Sequence, residues 1–244
     1  MIESFPLIYL PVATTVIAIA YMVRGVAGFG SGLIAIPLLA LILPLSVVVP
    51  VIALLDLLAS ISHGAGNRSA IQWREILALL PFSVVGIVIA IYLFKTADPA
   101  LLSKGLAVFV ILYAGYTLLV KEPSSAVSRM WAMPWGGFGG LINALFGTGG
   151  PFYVVYRQLR GLGRPELRAT IATILLVDGI GRSFGYAMAG LFTNDALILV
   201  AAGVPLGALA LYVGGHMQTG MKPVTFKRAI SALLLVSGIA ILVK

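Results

Sequence analysis

The 244-residue sequence contains no cysteine, which excludes disulfides, thiolate metal sites and thiol nucleophiles outright. Charge is scarce as well: Asp, Glu, Lys and Arg together make up 10% of the chain, and only 8 residues are acidic. A soluble globular domain typically carries about 25% charged residues. A chain this poor in charge cannot cover a water-facing surface, so a soluble fold of useful size is excluded.

What the chain has in abundance is apolar side chain. Hydrophobic residues are 60% of the total and the mean hydropathy is +1.08. Uncharged runs extend from Pro6 to Val23, Gly25 to Leu55, Ile76 to Phe94, Leu106 to Val120 and Trp131 to Tyr156. Further runs cover Ala169 to Val177, Ala196 to Val213 and Ala229 to Val243. A bilayer core about 30 Å thick needs roughly 20 apolar residues per helix. The runs are apolar on every face, whereas strands of a membrane barrel alternate. The sequence therefore predicts an all-α integral membrane protein of about eight (eight to ten) membrane-embedded helices. The first run carries Glu3 before it rather than a basic stretch, and it is read as the first helix, not as a secretory signal.

The net charge of +8 has a topological reading. Arg157, Arg160, Arg164 and Arg168 cluster in one loop, and Lys222, Lys227 and Arg228 in another two spans later. Cytoplasmic loops are enriched in Lys and Arg. This places both loops in the cytoplasm and both chain ends on the outer, periplasmic side of a bacterial inner membrane.

An internal repeat is visible. Phe29-Gly30-Ser31-Gly32 recurs as Phe146-Gly147-Thr148-Gly149, and Asp56 recurs as Asp178. Lys104, Gly115 and Lys121 recur in the same order as Lys227, Gly238 and Lys244. Two homologous repeats of four to five helices follow, 1–122 and 128–244, with 123–127 as the link. If each glycine-interrupted element crosses once, each half has four spans and the repeats are parallel; if the chain turns at the glycines, each half has an odd number of passages and the repeats are inverted. Charge counting favours that arrangement, because it brings Arg24, Arg68, Arg74, Lys121 and Arg129 to the basic side.

Glycine-rich breaks inside apolar runs mark the candidate site. Irregular backbone at membrane depth is tolerated where it is buried in protein or lines a wet cavity. Each break opens a new helix start, whose free N–H groups and dipole favour an anion. Paired breaks in the two halves are the best sequence pointer to a transporter's central site. Gly30, Ser31 and Gly32 in one half, and Gly147, Thr148, Gly149 and Gly150 in the other, are thus candidate substrate-binding residues. Gly136-Gly137 and Gly139-Gly140 read instead as close helix packing.

Ionisable groups in the apolar runs each cost at least about 2.5–3.5 kcal/mol at the bilayer centre and need a partner or a role. Arg24 and Arg182 are candidates to bind an anion, and Asp56 and Asp178 to carry protons. Asp178 and Arg182 stand four residues apart and can pair on one helix face. Asp56 has Ser60 at the corresponding place, and Arg24 is its candidate partner. Asn143, one helical turn before the second break, is a candidate for the cavity wall. His63 reads as an interfacial helix end, and Trp73, Trp131 and Trp135 as an aromatic belt.

At these motifs the chain resembles the TauE/SafE family of sulfite and organosulfonate exporters. The matching stretches are Gly25-Val26-Ala27-Gly28-Phe29-Gly30-Ser31-Gly32-Leu33-Ile34-Ala35-Ile36-Pro37 and Phe146-Gly147-Thr148-Gly149-Gly150-Pro151. The resemblance implies proton-coupled secondary transport of a small sulfur-containing anion such as sulfite, sulfoacetate or a related sulfonate. Relatives that import thiosulfate are associated with pore-loop cysteines, which are absent here. The expected partners are the anion, protons and lipid, with no cofactor, metal or nucleic acid; a homo-oligomer stays open. Two rivals belong to other classes. An anion channel could be built from the same breaks. An intramembrane enzyme would use Ser31 as nucleophile and His63 as base, but His63 has no counterpart in the second half.

Overall fold

The computed structural model describes residues 9–28, 30–63, 71–119, 128–160, 164–217 and 223–244. Phe29, Arg68, Lys222, the link at 123–127 and the chain start with Glu3 lie outside the described residues, as do the side chains of His63, Arg157, Arg164, Arg168 and Lys227. Among the described residues the chain is helical throughout. The first half holds α1 (Leu10–Ala27), α2 (Ser31–Ala40), α3 (Leu45–His63), α4 (Trp73–Thr96) and α5 (Pro99–Leu119). The second half holds α6 (Ala132–Phe146), α7 (Gly150–Leu159), α8 (Arg164–Met188), α9 (Asn194–His216) and α10 (Pro223–Val243). Five segments are long and apolar enough to cross a membrane: α1, α4, α5, α9 and the Ala169–Met188 part of α8.

The uninterrupted run from Gly25 to Leu55 conceals three helices. Gly28 and Gly30 adopt left-handed backbone, with φ of 84° and 98°, and end α1 before α2 begins at Ser31. A turn at Leu41–Pro44 then separates α2 from α3. In the second half Gly147, with φ of 62°, ends α6 by donating its N–H to the Asn143 carbonyl at 2.9 Å. Such conformations are costly for any residue with a Cβ.

At the second break the chain turns back on itself. Arg129, just before α6, and Arg160, just after α7, both donate to the carboxylate of Glu75. Midway, Gly139 of α6 faces the ring of Tyr153 on α7, where a Cβ would sit 2.6 Å from Cε1. The pair α6–α7 is therefore a hairpin with its tip at 147–149 and its two ends together at the start of α4. Helices α1 and α2 also pack against each other, and the Lys244 ammonium at the end of α10 donates to the Leu41 carbonyl beside the end of α2 at 3.1 Å.

The tightest helix pairs are α4 with α6 and α1 with α9, and both run parallel. Along the first, Leu79 meets Gly136 and Ser83 meets Gly140; along the second, Ile17 meets Gly203, Tyr21 meets Gly207 and Gly25 meets Leu211. Small residues let backbones approach within a bilayer, where apolar side chains gain little by leaving lipid. The close packing that the sequence assigns to Gly136, Gly137, Gly139 and Gly140 is found at Gly136, Gly139 and Gly140, whereas a Cβ at Gly137 would meet only the Phe82 carbonyl at 4.0 Å. Trp73 and Trp131 are exposed at helix ends, while Trp135 is partly covered against Phe152.

Candidate functional site

Both glycine breaks end at one place in the interior. The two tips touch: a Cβ at Gly32 would overlap the carbonyl oxygen of Gly147. Around them lies a small cavity lined by residues of both halves, among them Arg24, Ser31, Asp56, Asn143, Thr148 and Arg182. Gly30, Gly32, Gly147 and Gly150 supply its backbone walls. Gly149 stands behind them, its N–H donating to Asn143 Oδ1 at 3.3 Å. The polar side chains are nearly sealed, from 1% exposed at Ser31 to 8% at Arg24 and Asp56.

Asp56 is the hub of the cluster. Its Oδ1 accepts from Arg24 Nη1 at 2.6 Å, from the Ser31 hydroxyl at 2.6 Å and from the Tyr21 hydroxyl at 2.8 Å. Its Oδ2 accepts from Arg182 Nη2 at 3.1 Å. Arg24 also donates to Ser31 Oγ at 3.0 Å and, through Nη2, to Ser60 Oγ at 2.7 Å. One carboxylate thus holds two guanidinium groups, which is how buried charge becomes tolerable in a low dielectric.

Asp178 sits in different company. Its carboxylate accepts from the Ser83 hydroxyl at 2.6 Å, from the Tyr153 hydroxyl and, at 3.4 Å, from Asn143 Nδ2. The pairing of Asp178 with Arg182 expected from their spacing is not formed. Arg182 instead reaches across the bundle to Asp56 and donates Nη1 to the Asn143 carbonyl at 3.0 Å. The physical reason is competition: Asp178 is already held by three neutral donors, whereas Asp56 offers a second oxygen to Arg182. Asp56 does pair with Arg24, its candidate partner from sequence.

Two polar atoms of the cluster are left over. Thr148 Oγ1 and Arg182 Nε are buried with no hydrogen-bond partner among the described residues. Both residues line the cavity, beside the first turn of α7, where helix N–H groups lack intrahelical partners. A buried unpaired donor costs about 1–3 kcal/mol, so these atoms are where a small acceptor ligand gains most. Ser31, by contrast, is fully engaged: its hydroxyl accepts from Arg24 and donates to Asp56.

Sequence reasoning missed Tyr21, Ser83 and Tyr153, which complete the shells of the two aspartates. It also missed a second ion cluster at the open end of the α6–α7 hairpin. There Glu75 accepts from Arg129, Arg160 and Tyr156. The sequence carried no distinct signal for it: Glu75 is an acidic residue in the first turn of a helix, and its burial shows only in the fold.

The geometry defines a class: a helical membrane protein with a buried, ion-paired polar site where two interrupted helices meet. The sequence model of the family described as "Sulfite exporter TauE/SafE" matches residues 13–241, and the chain belongs to that family. Among curated relatives, the probable sulfite/organosulfonate exporter TauE of Cupriavidus necator is 28% identical over 228 residues, covering 89% of this chain and 87% of the relative. The probable inner membrane transporter protein TsaS of Comamonas testosteroni is 27% identical over 194 residues, covering 78% and 80% respectively. No solved structure matches the chain.

Proposed function

We propose that the protein is a secondary active transporter that moves a small sulfur-containing anion across the bacterial inner membrane by alternating access, coupled to protons. The observation that carries this reading is the Arg24–Asp56–Arg182 cluster beside the unpartnered Thr148 Oγ1 and Arg182 Nε. Sulfite and sulfonate headgroups offer several acceptor oxygens to these donors, and the names of the relatives support a sulfur oxyanion as the substrate class.

The charges supply a coupling logic. Arg24 and Arg182 bring two positive charges to the site and Asp56 a carboxylate between them, with Asp178, the second candidate proton carrier, behind Asn143. Asp56 occupies the guanidinium groups in place of a substrate. An arriving oxyanion must displace it, and protonation of Asp56 releases both guanidiniums. Proton and anion binding then reinforce each other, and by linkage the effect is reciprocal. The direction of net movement follows the summed gradients, with export when the anion accumulates inside.

The α6–α7 hairpin supports the inverted arrangement of two repeats, because a turn at the glycines leaves an odd number of passages per half. It also puts Arg74, Arg129 and Arg160 at one face with Glu75, and the positive-inside rule assigns that face to the cytoplasm. Proteoliposome flux tests the reading. Saturable sulfite or sulfonate uptake, driven uphill by an imposed pH gradient, is expected. Flux that never saturates and ignores the gradient would support a channel and overturn the carrier.

A further inference from the structure

Glu75 lies in the first turn of α4, away from the anion site, yet it is 5% exposed and heavily bonded. Arg160 grips it with two nitrogens, Nε to Oε2 at 3.3 Å and Nη2 to Oε1 at 3.1 Å. Arg129 donates Nε and Nη2 to Oε1 at 3.3 and 3.2 Å, and the Tyr156 hydroxyl donates to Oε2 at 2.9 Å. These donors come from the approach to α6 and from the last turns of α7. One carboxylate therefore clamps both open ends of the hairpin to α4. The other end of the same hairpin carries Thr148 and the first turn of α7, which wall the anion site.

We propose that Glu75, with Arg160 and Tyr156, is a gate: it is the residue that positions the α6–α7 hairpin and keeps the anion site closed from the Arg160 face. The lever is short. Helix α7 has 10 residues, about 15 Å at 1.5 Å per residue, so a hinge at Gly147–Gly149 converts release of Glu75 into movement of the wall itself. The hinge is available because Gly147 and Gly149 carry no Cβ to block backbone rotation at the tip; below it the hairpin meets α4 through glycine and through the Ile76, Leu79, Tyr153 and Tyr156 side chains, and these lie toward the Glu75 end. At the end of α2 the corresponding tie is slight: the Lys244 ammonium donates to one backbone carbonyl and is exposed. Among the described residues the hairpin end is thus held by an ion cluster on Glu75, and the end of α2 by one exposed hydrogen bond. Arg160 is also partly exposed, 22% at its side chain, so water and ions at that face can compete for Glu75.

This inference goes beyond the substrate reading and uses only its premise that the site opens to one face at a time. A cluster that merely holds the fold together would alter stability when broken, not the side from which the cavity is reached. The absence of cysteine makes the distinction measurable. Leu175 on α8 lines the cavity without bonding to its charged groups, so Leu175→Cys serves as a reporter. A small membrane-impermeant thiosulfonate would be applied to right-side-out and inside-out vesicles. Adding Glu75→Gln or Arg160→Gln is expected to raise the labelling rate about tenfold from the Arg160 face, the shift of a two-state equilibrium by one decade. The rate from the opposite face should stay constant or fall. Unchanged rates, or an equal rise from both faces, would overturn the proposal. If Glu75→Gln fails to insert, Arg160→Gln leaves Arg129 and Tyr156 on Glu75 and reads the same outcome. Labelling does not depend on any anion being carried. A one-sided rise without sulfite flux retires the substrate and keeps the gate, whereas normal flux with unchanged labelling does the reverse.

Discussion

Arg182 on α8 donates to Asp56 on α3 at 3.1 Å, a contact across 126 residues that ties the two halves of the chain together at the cavity between the glycine breaks. On the proposed reading the Asp56 carboxylate occupies the two guanidinium groups that a substrate oxyanion would use, and this sets the first prediction. Asp56→Asn removes the internal competitor for Arg24 and Arg182. Sulfite should bind about tenfold tighter, roughly 1.4 kcal/mol, and uphill transport should be lost. Titration calorimetry with sulfite on both proteins checks the sign: tighter binding in Asp56→Asn supports the competition, and equal or weaker binding contradicts it.

Thr148 and Ser31 occupy matching places in the two breaks but have unequal surroundings. Thr148→Val keeps the shape and removes an oxygen that has no partner. Thermal stability should hold, while anion affinity falls about three- to tenfold, the worth of one hydrogen bond of about 0.5–1.5 kcal/mol. Ser31→Ala strips a bond from both Arg24 and Asp56. It should lower the melting temperature as well, and parallel melting and binding curves separate the two.

The contact of the hairpin tips gives a graded glycine series. Gly30→Ala meets no neighbouring atom but must hold φ near 98°, so it should cost about 1–2 kcal/mol and leave some transport. Gly32→Ala drives a methyl group into the Gly147 carbonyl and should abolish binding in a protein that still inserts. Flux and melting temperature, measured on both variants, test that order.

Helix pairing through glycine makes its own prediction. A Cβ at Gly140 would strike the Ser83 backbone on α4, and Ser83 holds Asp178. Gly140→Leu should therefore destabilise the protein in detergent far more than Gly137→Leu, whose Cβ reaches only ordinary contact distance from Phe82.

Much of this was legible in the sequence for a clear reason. Charged residues and glycine clusters are so out of place in an apolar run that Arg24, Asp56, Asp178, Arg182 and the two breaks stand out without a structure. Their partners were harder to read. Spacing along one helix pointed Arg182 at Asp178, but Ser83 and Tyr153, from α4 and α7, had already filled that carboxylate. Hydropathy also hid the shortness of α2, because Leu41–Pro44 is as apolar as the helices it separates. Glu75 escaped notice because an acidic residue in a helix's first turn is ordinary; its burial depends on Arg129 and Arg160, far away in the chain.

The central claim is that the paired breaks form a site for a sulfur oxyanion. Thermal shift of the purified protein with sulfite and a panel of sulfonates, against phosphate and carboxylate controls, tests it most directly. A ligand at about a hundred times its Kd adds about 2.7 kcal/mol to the folded state. The account predicts a stabilisation confined to sulfur oxyanions, weakened in Thr148→Val and lost in Arg182→Gln. No shift with any anion, or a shift that both variants retain in full, would contradict it.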